Sequence, residues 1–592
     1  MIARFLAIVR PAGAQTDGWV QSLTARALRD FDLRPVFDHE RVIVLANSAM
    51  PATRIDGAGG VVLGTVFRRG EGARRRSDAA LLAKTIASSA GEDLIQSWWG
   101  GYVAIIANKA RGPVHILRDP SGATPCYRKM SEGAHILYSD VAVPHALGLV
   151  EAKLDPAFAA HYVAYPDLRG ARTGLVGVDE VLAGTRLSLR PGGEAVTECC
   201  WTPWTFAAAD RQISDRAQAV AEVRAETQRC VAAWASQSRS ILLELSGGLD
   251  SSIVAACLKD QAASVSCVTA VTPDPGADER RYAAIVADSI GARLEAILLQ
   301  VEAGDVLRPP KILSPRPGTG VLQQVLDSGI ADQARAVGAD AFFTGGGGDN
   351  VFCYLNTAAP AADVLRTRGV GPLFGRTVGD LAVLHQCTTW RAGALAIRKA
   401  WRRPRPWRHD KLFIAADADP ATPGPHPWLD APSGALPGKR EHVAALMRIQ
   451  NAPDGKERHA LAPVRYPLLS QPLVELCLTI PSWMWISAGR NRAVARDAFA
   501  DRLPAAILER RTKGDFTGFC GAVYERQRTA LADLLLGGWL AGQGILDPVA
   551  VEAYLAAPVP PKDIGFYRLL ELAGVEVWAR SWLALEPLSE RR

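Results

Sequence analysis

The feature that most restricts the fold is the run Leu243-Glu-Leu-Ser246-Gly247-Gly248-Leu249-Asp250-Ser251-Ser252. A hydrophobic strand turns through two glycines straight into a helix, so a sheet must lie on one side of the turn and a packed helix on the other. The run sits in an alternating rhythm: Ile241 to Leu245, a helical stretch from Ser251 to Lys259, then Val265 to Val271, Glu279 to Ile290, Leu294 to Leu299 and Asp340 to Thr344. Alternation of this kind predicts a parallel sheet covered by helices on both faces.

Up to about residue 205 the rhythm differs. Short β-rich runs, Val42 to Ala46, Gly60 to Phe67, Tyr102 to Ala107, Val114 to Leu117 and His135 to Tyr138, are broken by Gly, Pro and Asp, and Phe5 to Val9 reads as a first strand. That spacing predicts stacked antiparallel sheet. A helix is expected from Asp215 to Trp234 with Ser214 as its N-cap, which puts a boundary near residue 210 and gives two domains, 1–210 and 211–592. A length of 592 residues is enough for two or more cores. Residues 400–440 contain eight prolines and read as an insertion or mobile loop, and helical patterns dominate from Val464 onward.

Composition narrows the function classes. Hydrophobic residues make up 48 % and charged residues 22 %, and no apolar run approaches the roughly 20 residues of a bilayer span, so neither a membrane nor a disordered chain is expected. The formal charge of +6 is spread along the chain and does not point to nucleic acid. Ten scattered cysteines without a CxxC pair fit neither zinc nor a disulfide framework, and reduced thiols in a cytoplasm are the expectation.

The Ser246–Ser252 turn has the chemistry of a phosphate cradle. Glycines let the backbone approach an anion, serine hydroxyls and helix amides donate to it, and the helix dipole favours negative charge. No Gly-Lys-Ser/Thr follows, so this is not a Walker A loop; Asp250 supplies instead a carboxylate able to hold Mg²⁺ against pyrophosphate. A second loop, Gly345-Gly346-Gly347-Gly348-Asp349, follows the strand at Phe342. Alone it would read as a flexible linker; with the first it would place two carboxylates around one metal-bound polyphosphate.

These residues resemble a family. Ser246-Gly-Gly-Leu-Asp-Ser is similar to the PP-loop of the ATP pyrophosphatases, which split ATP between its α and β phosphates. The wider chain resembles the asparagine synthetase group through Arg118-Asp-Pro-Ser-Gly-Ala-Thr-Pro-Cys-Tyr127, Tyr138-Ser-Asp140, Thr173-Gly-Leu, Ala183-Gly184, Arg465-Tyr-Pro-Leu-Leu469 and Arg511-Thr-Lys513-Gly-Asp-Phe516. Within that group it looks most like the lasso-peptide macrolactam synthetases, through Trp98-Trp-Gly-Gly-Tyr102, Ala277-Asp-Glu-Arg-Arg-Tyr-Ala283, Gly345 to Cys353 and Tyr466 to Glu475. The resemblance implies an α/β chain: a glutaminase-like (Ntn-type) antiparallel β-sandwich, then a PP-loop doubly wound α/β synthetase domain with a helical C-terminal part.

The resemblance also implies a reaction and its residues. The expected function is an ATP-dependent lasso-peptide cyclase that adenylates an Asp or Glu side chain of a core peptide and joins it to the peptide's N-terminal amine. ATP is expected on Leu245, Ser246, Gly247, Gly248, Asp250, Ser251, Ser252, Val268, Thr269, Gly346 and Gly347, and Mg²⁺ on Asp250 and Asp349. The catalytic set is Lys513, Asp250, Asp349 and Glu279, with Lys513 as the cation on the adenylate and tetrahedral intermediate; a lone lysine would otherwise read as a solvated one. Implied partners are a ribosomally made precursor peptide, a leader peptidase and a leader-recognition protein, with no nucleic acid and no membrane.

Two departures matter. Ile2 follows Met1 and the first cysteine is Cys126, so the N-terminal domain is expected to lack the cysteine nucleophile of a glutaminase. The family's glutamate before the Arg-x-Pro segment falls at Pro463, leaving Glu457, His459 or an unassisted α-amine to account for the proton; the ten histidines show no ligand spacing, so His459 reads as structural before it reads as a base. Arg490, Arg492 and Arg496 read as a solvated helix face, and Trp98, Trp99 and Tyr102 as core. The basic run Arg402–Arg408 reads as a solvated connector, with RNA contact or peptide guidance as alternatives. Two other functions stay open: a small-molecule amide synthetase, of the asparagine or β-lactam type, and a non-enzymatic scaffold that binds nucleotide and peptide.

Overall fold

The computed structural model describes residues 2–11, 17–55, 59–70, 79–89, 91–107, 112–318, 320–403, 407–452, 454–511, 514–558 and 563–585. Among the described residues its N-terminal part holds twelve strands: β1 (Phe5–Val9), β2 (Arg34–His39), β3 (Val42–Ala46), β4 (Ala52–Ile55), β5 (Gly60–Arg68), β6 (Trp98–Ile106), β7 (Val114–Arg118), β8 (Tyr127–Ser131), β9 (Ala134–Tyr138), β10 (Val178–Glu180), β11 (Thr185–Leu189) and β12 (Ala195–Cys199). They make two antiparallel six-stranded sheets, β10-β8-β9-β1-β3-β2 and β12-β11-β7-β6-β5-β4. Phe5, Ala7 and Val44 of the first sheet share a core with Val61, Leu63, Val103 and Ile105 of the second, which is the sandwich the spacing predicts. The residues between them, Leu6, Ile8, Ala104 and Ile106, are buried too, in a core that takes in Leu23, Ala27, Leu82 and Ile86 of the helices Asp17–Phe31 and Ala79–Ser89. Burial on both faces explains why β1 and β6 read as unbroken apolar runs rather than alternating ones.

The second part is a parallel sheet of β13 (Ser240–Glu244), β14 (Ser264–Val271), β15 (Arg293–Leu298), β16 (Ala341–Thr344) and β17 (Val464–Arg465), in the order β15-β14-β13-β16-β17. Leu242, Val268 and Phe342 pack with Ile330 and Ala334 of the helix Val321–Val337. Their neighbours Leu243, Cys267 and Phe343 share a core with Ile253 and Ala283 of the helices Leu249–Leu258 and Arg280–Ile290. The chain winds outward from β13 to β15, then returns to the other side of β13 for β16 and β17. Winding therefore reverses between β13 and β16, and in open α/β sheets the crevice at the strand ends of such a reversal is where ligands bind.

Two local expectations need correction. The long helix is Arg216–Ala235 and its N-cap is Asp215, not Ser214: the Asp215 carboxylate accepts from the amides of Ala217 and Gln218. The proline-rich stretch is anchored rather than free, because Trp407, Phe413, Ile414 and Trp428 are buried and the Trp407 indole donates to the carbonyl of Pro166, 2.9 Å away. Of its basic run, residues 404–406 lie outside the described residues.

A polar seam joins the two parts. Arg69 binds Glu475 through two hydrogen bonds of 2.6 and 2.9 Å, and the Trp201 indole donates to the same carboxylate at 2.7 Å. Gln471 donates to the Ile95 carbonyl at 3.0 Å, while Trp99 meets Trp234 edge-on and Trp234 donates to Ser470. The segments Trp98–Tyr102 and Tyr466–Glu475 thus serve the junction, and Trp98, Trp99 and Tyr102 are core residues.

Candidate active site

The two glycine loops leave the C-terminal ends of β13 and β16, neighbouring strands at the winding reversal. They press against each other. A Cβ added to Gly345 would lie 2.6 Å from Ser251 Cα, and one added to Gly348 would lie 2.5 Å from Asp250 Cβ, so only glycine lets the backbones come this close. Gly247 is held to glycine for a second reason: its φ is +62° and a Cβ there would meet Tyr282 Cβ at 2.5 Å.

Between and above the loops lies a cavity of about 630 Å³. Leu245, Ser246, Gly248, Asp250 and Ser251 line it from the first loop, and Gly346, Gly347 and Asp349 from the second. Val268 and Thr269, at the end of β14, line it as well. Gly247 and Ser252 stand behind this wall: the Gly247 carbonyl accepts from Arg510 at 3.1 Å, and the Ser252 hydroxyl donates to the Gly248 carbonyl at 2.7 Å. The hydroxyls of Ser246 and Ser251 are 3.3 Å from each other, long for an O–H···O bond, and both line the cavity. With the first amides of the helix Leu249–Leu258, which have no intrahelical acceptor, they form a donor cluster suited to phosphate.

Asp250 and Asp349 converge on one nitrogen. Arg492 Nη1 binds Asp250 Oδ2 at 2.8 Å and also Asp349 Oδ1. Burial opposes the charge on Arg492, but the two carboxylates hold its pKa above the ordinary arginine value. The residue sits at φ +50°, a left-handed conformation costly for a side chain other than glycine, and its guanidinium lies 5.2 Å from the Tyr354 ring. Arg496 fixes the turn that presents it, donating to the carbonyls of Asn491 and Leu508 at 2.9 and 2.6 Å, with burial lowering its own pKa to about 10. The expectation of a solvated arginine face is therefore wrong for Arg492 and Arg496: the carboxylates of the two loops turn Arg492 inward, and the carbonyls of Asn491 and Leu508 hold Arg496. Two carboxylate oxygens gathered at one cationic point fit Mg²⁺, which is commonly held by one or two carboxylates with substrate phosphates completing its shell. Among the described residues no cluster of three or more metal-ligating side chains exists.

Glu279 lines the far side of the cavity. It pairs with Arg510 and accepts from the Gly514 amide at 2.9 Å. Arg510 also stacks 4.0 Å from the Tyr282 ring centroid, so a single guanidinium ties the first loop to the start of the helix Arg280–Ile290. Sequence reading missed Arg510, although it directly precedes the Arg511–Phe516 string. Lys513 lies outside the described residues; its neighbours Arg511 and Gly514 line the cavity. Asp278 is bound to Arg280 at 2.6 Å and is not part of the wall.

Neither base candidate reaches the site. Glu457 is held by Arg308 at 2.6 Å and Lys311 at 3.4 Å, outside the cavity. Burial, and then the charges of Arg458, Lys456 and Arg465, push the His459 pKa down to about 3. Between them Arg458, itself buried, pairs with Asp327 and with Glu244 at the end of β13. Each carboxylate of the wall, Glu244, Asp250, Glu279 and Asp349, therefore has an arginine partner, and among the described residues no histidine lines the cavity.

The sequence model of the asparagine synthase family matches residues 222–580, more than half of the chain and both loops with it. The chain belongs to the asparagine synthase family. Over 172 residues it is 37 % identical to the carboxyethyl-arginine beta-lactam-synthase of Streptomyces clavuligerus, a stretch that covers 28 % of this chain and 32 % of that protein. The match thus spans about a third of that relative's length. Two solved structures share less with this asparagine synthase family member. The glutamine phosphoribosylpyrophosphate amidotransferase from B. subtilis complexed with ADP and GMP is 12 % identical, with 50 % of this chain and 65 % of that one covered at a TM-score of 0.20. The allosteric regulatory enzyme of purine biosynthesis is 11 % identical, with 58 % and 89 % covered at 0.22. At those scores the fold rests on the sheet orders described above. Among the described residues no helix is long and apolar enough to cross a membrane.

Proposed function

We propose that this chain is an ATP-dependent amide ligase that closes a lasso peptide. The observation that carries the ligase reading is the contact of the two glycine loops, with Asp250 and Asp349 meeting at one cationic point. A carboxylate oxygen of the peptide attacks the α-phosphorus of ATP, the bond to the bridging oxygen breaks, and pyrophosphate leaves. The N-terminal amine then attacks the acyl carbon, loses a proton, and AMP departs with the electrons of the broken bond. Asp250 and Asp349 would hold Mg²⁺, which supplies positive charge beside the leaving pyrophosphate when bound. Ser246, Ser251 and the helix amides orient the phosphates, and Arg492 and Arg510 put fixed positive charge into the same cavity.

The peptide reading is supported by the joint matches at Trp98–Tyr102, Ala277–Ala283, Gly345–Cys353 and Tyr466–Glu475, and by the state of the thiols in the antiparallel part. Burial pushes Cys126 up to about 12 and Cys200 to about 11, and raises Cys199, so none is a ready nucleophile for releasing ammonia from glutamine. An amine carried by the substrate itself meets the need. The kinship with a β-lactam synthase favours a second reading, closure of a small amino acid derivative. Leaderless peptides with an Asp or Glu placed at successive positions are to be incubated with ATP, against aspartate plus ammonium. A threaded product lighter by one water, with one AMP formed, supports the first reading; asparagine, or no dehydrated peptide from any candidate, defeats it.

Two kinetic expectations follow. Lys513→Ala is expected to leave nucleotide binding intact and to lower amide formation by roughly a hundredfold, the effect of removing one charge-stabilising donor; unchanged turnover would take Lys513 out of the reaction. With no histidine among the described residues of the cavity wall, kcat/KM should rise tenfold per pH unit up to the α-amino pKa of the substrate, about 8, and then level off. An additional limb near pH 6 to 7 would show that an enzyme base is present after all.

A further inference from the structure

A second cavity, of about 390 Å³, opens where the helix Pro156–Ala164 of the antiparallel part meets the C-terminal helix Gly565–Leu583. Its wall is mainly apolar and aromatic, with Tyr162, Leu322, Tyr567, Leu570 and Val575. Most of the polar groups on it are already engaged, although the buried Arg568 Nε has no hydrogen-bond partner among the described residues. Arg568 donates to the Val163 carbonyl and pairs with Glu571, Gln323 bonds to both Asp327 and Lys456, and the Tyr567 hydroxyl lies 3.2 Å from that of Thr517. Asp167 and Glu571 are solvent-exposed. Such a wall suits a mainly apolar occupant.

Its position ties it to the catalytic cavity. The helix Val321–Val337 gives its first turn, Val321–Gln323, to the second cavity and Leu326 and Ile330, one and two turns further on, to the first. Phe516 lines the first cavity and Cys520, in the helix Thr517–Arg526, the second. At about 1.5 Å of rise per residue, each pair of walls is separated by roughly one helical turn. Gly574 adds an independent sign that the space is kept open. It lies in the interior of the C-terminal helix without a positive φ, and among the described residues a Cβ built there would meet only Gly320 Cα, at 3.9 Å. Glycine weakens a helix relative to alanine, so neither backbone nor packing calls for it there. What it leaves is room.

We propose that the second cavity is a subsite for an aromatic or branched apolar side chain of the same peptide whose carboxylate is adenylated in the first. The proposal rests on the ligase reading above and adds a substrate requirement to it. A cavity of about 630 Å³ lies within the roughly 300–1,000 Å³ usual for a small-molecule site and would serve a nucleotide with a small acyl group. A second apolar space one turn away serves a longer chain, whose anchoring there holds the carboxylate in place for attack.

Gly574→Leu fills the cavity from one wall and Leu322→Trp from another. The probe is N-acetyl-phenylalanine amide, followed by saturation-transfer NMR, with binding of magnesium and a non-hydrolysable ATP analogue as the test of intact folding. Binding to the parent chain, weakened roughly tenfold or more in both variants while the nucleotide still binds, is the expected result. In parallel, N-acetylated Asp peptides carrying Phe at increasing glycine spacings are incubated with ATP and hydroxylamine, which captures the acyl adenylate as a hydroxamate and releases AMP. At one spacing kcat/KM should exceed that of the all-glycine peptide by roughly tenfold, and Gly574→Leu should erase the gain. No probe binding to the parent chain, equal binding to the filled variants, or hydroxamate formed with no benefit from Phe at any spacing would overturn the subsite and leave the ligase reading standing. If no peptide gives hydroxamate, the ligase reading fails, and probe binding alone decides whether the cavity takes an apolar side chain.

Discussion

Asp250→Asn is expected to lower the conversion of ATP to AMP by roughly a thousandfold, about 4 kcal/mol of transition-state stabilisation. The substitution keeps the shape of the side chain and removes its charge, so it separates electrostatics from packing at a position where Gly348 leaves no slack. Asp250 is the more enclosed of the two carboxylates, with 12 % of its side chain exposed against 36 % for Asp349, and a charge further from water acts with less screening. Asp349→Asn should therefore fall in the same direction by less, roughly a hundredfold. Pyrophosphate release measures both rates, and titration of a non-hydrolysable ATP analogue with and without Mg²⁺ reports the cause. The expected pattern is loss of the magnesium-dependent part of binding with the magnesium-independent part retained. Normal pyrophosphate release in Asp250→Asn would remove the convergence of the two loops as the basis of the activity.

How far such a site can be read from the chain depends on the range of the interactions that make it. The first loop was legible because its chemistry is local: a strand, two glycines and a helix start within ten residues fix the donor cluster, whatever surrounds it. The second loop was legible as a candidate only through its likeness to the first, and what decides it, Gly345 against Ser251, is a contact between segments far apart in sequence. Arg492 was visible and read in the wrong sense. Its spacing with Arg496 is that of a solvated face, and only the approach of both loops, with a left-handed backbone at Arg492, turns it inward. Glu457, an open possibility for the base, lies outside the cavity, and burial holds the His459 pKa down, as its structural reading expects. They are polar residues near a family motif, yet they belong to the buried charge network around Arg458, which has no local pattern. For the fold, periodicity gave the strands and the two kinds of sheet; the order β15-β14-β13-β16-β17, which places the crevice, depends on non-local pairing.

Arg492→Met should reveal what the two carboxylates do without their shared cation. Asp250 and Asp349 both reach one nitrogen, so removing it takes away the cation that offsets the repulsion between them. Breaking a fully buried ion pair costs about 3–5 kcal/mol; with Asp349 at 36 % exposure, about 1–3 kcal/mol is the expected loss of stability without divalent ions. Mg²⁺ should then stabilise the variant more than the parent chain, because binding to the folded state adds RT ln(1 + [L]/Kd) and the competing guanidinium is gone. Thermal unfolding with and without Mg²⁺ tests both statements: the variant melts lower without the ion and recovers most of the difference with it. Catalysis should not recover, since the cavity has lost a fixed positive charge beside the phosphates, and kcat is expected to stay down by roughly a hundredfold even at saturating Mg²⁺. Arg492→Lys separates the two roles, keeping a charge for the phosphates while a single ammonium on a flexible stem replaces a planar fork. It should restore more of kcat than of stability. If Arg492→Met melts like the parent chain with and without the ion, the guanidinium is not what holds the carboxylates together, and its place between them has no bearing on how magnesium and nucleotide enter.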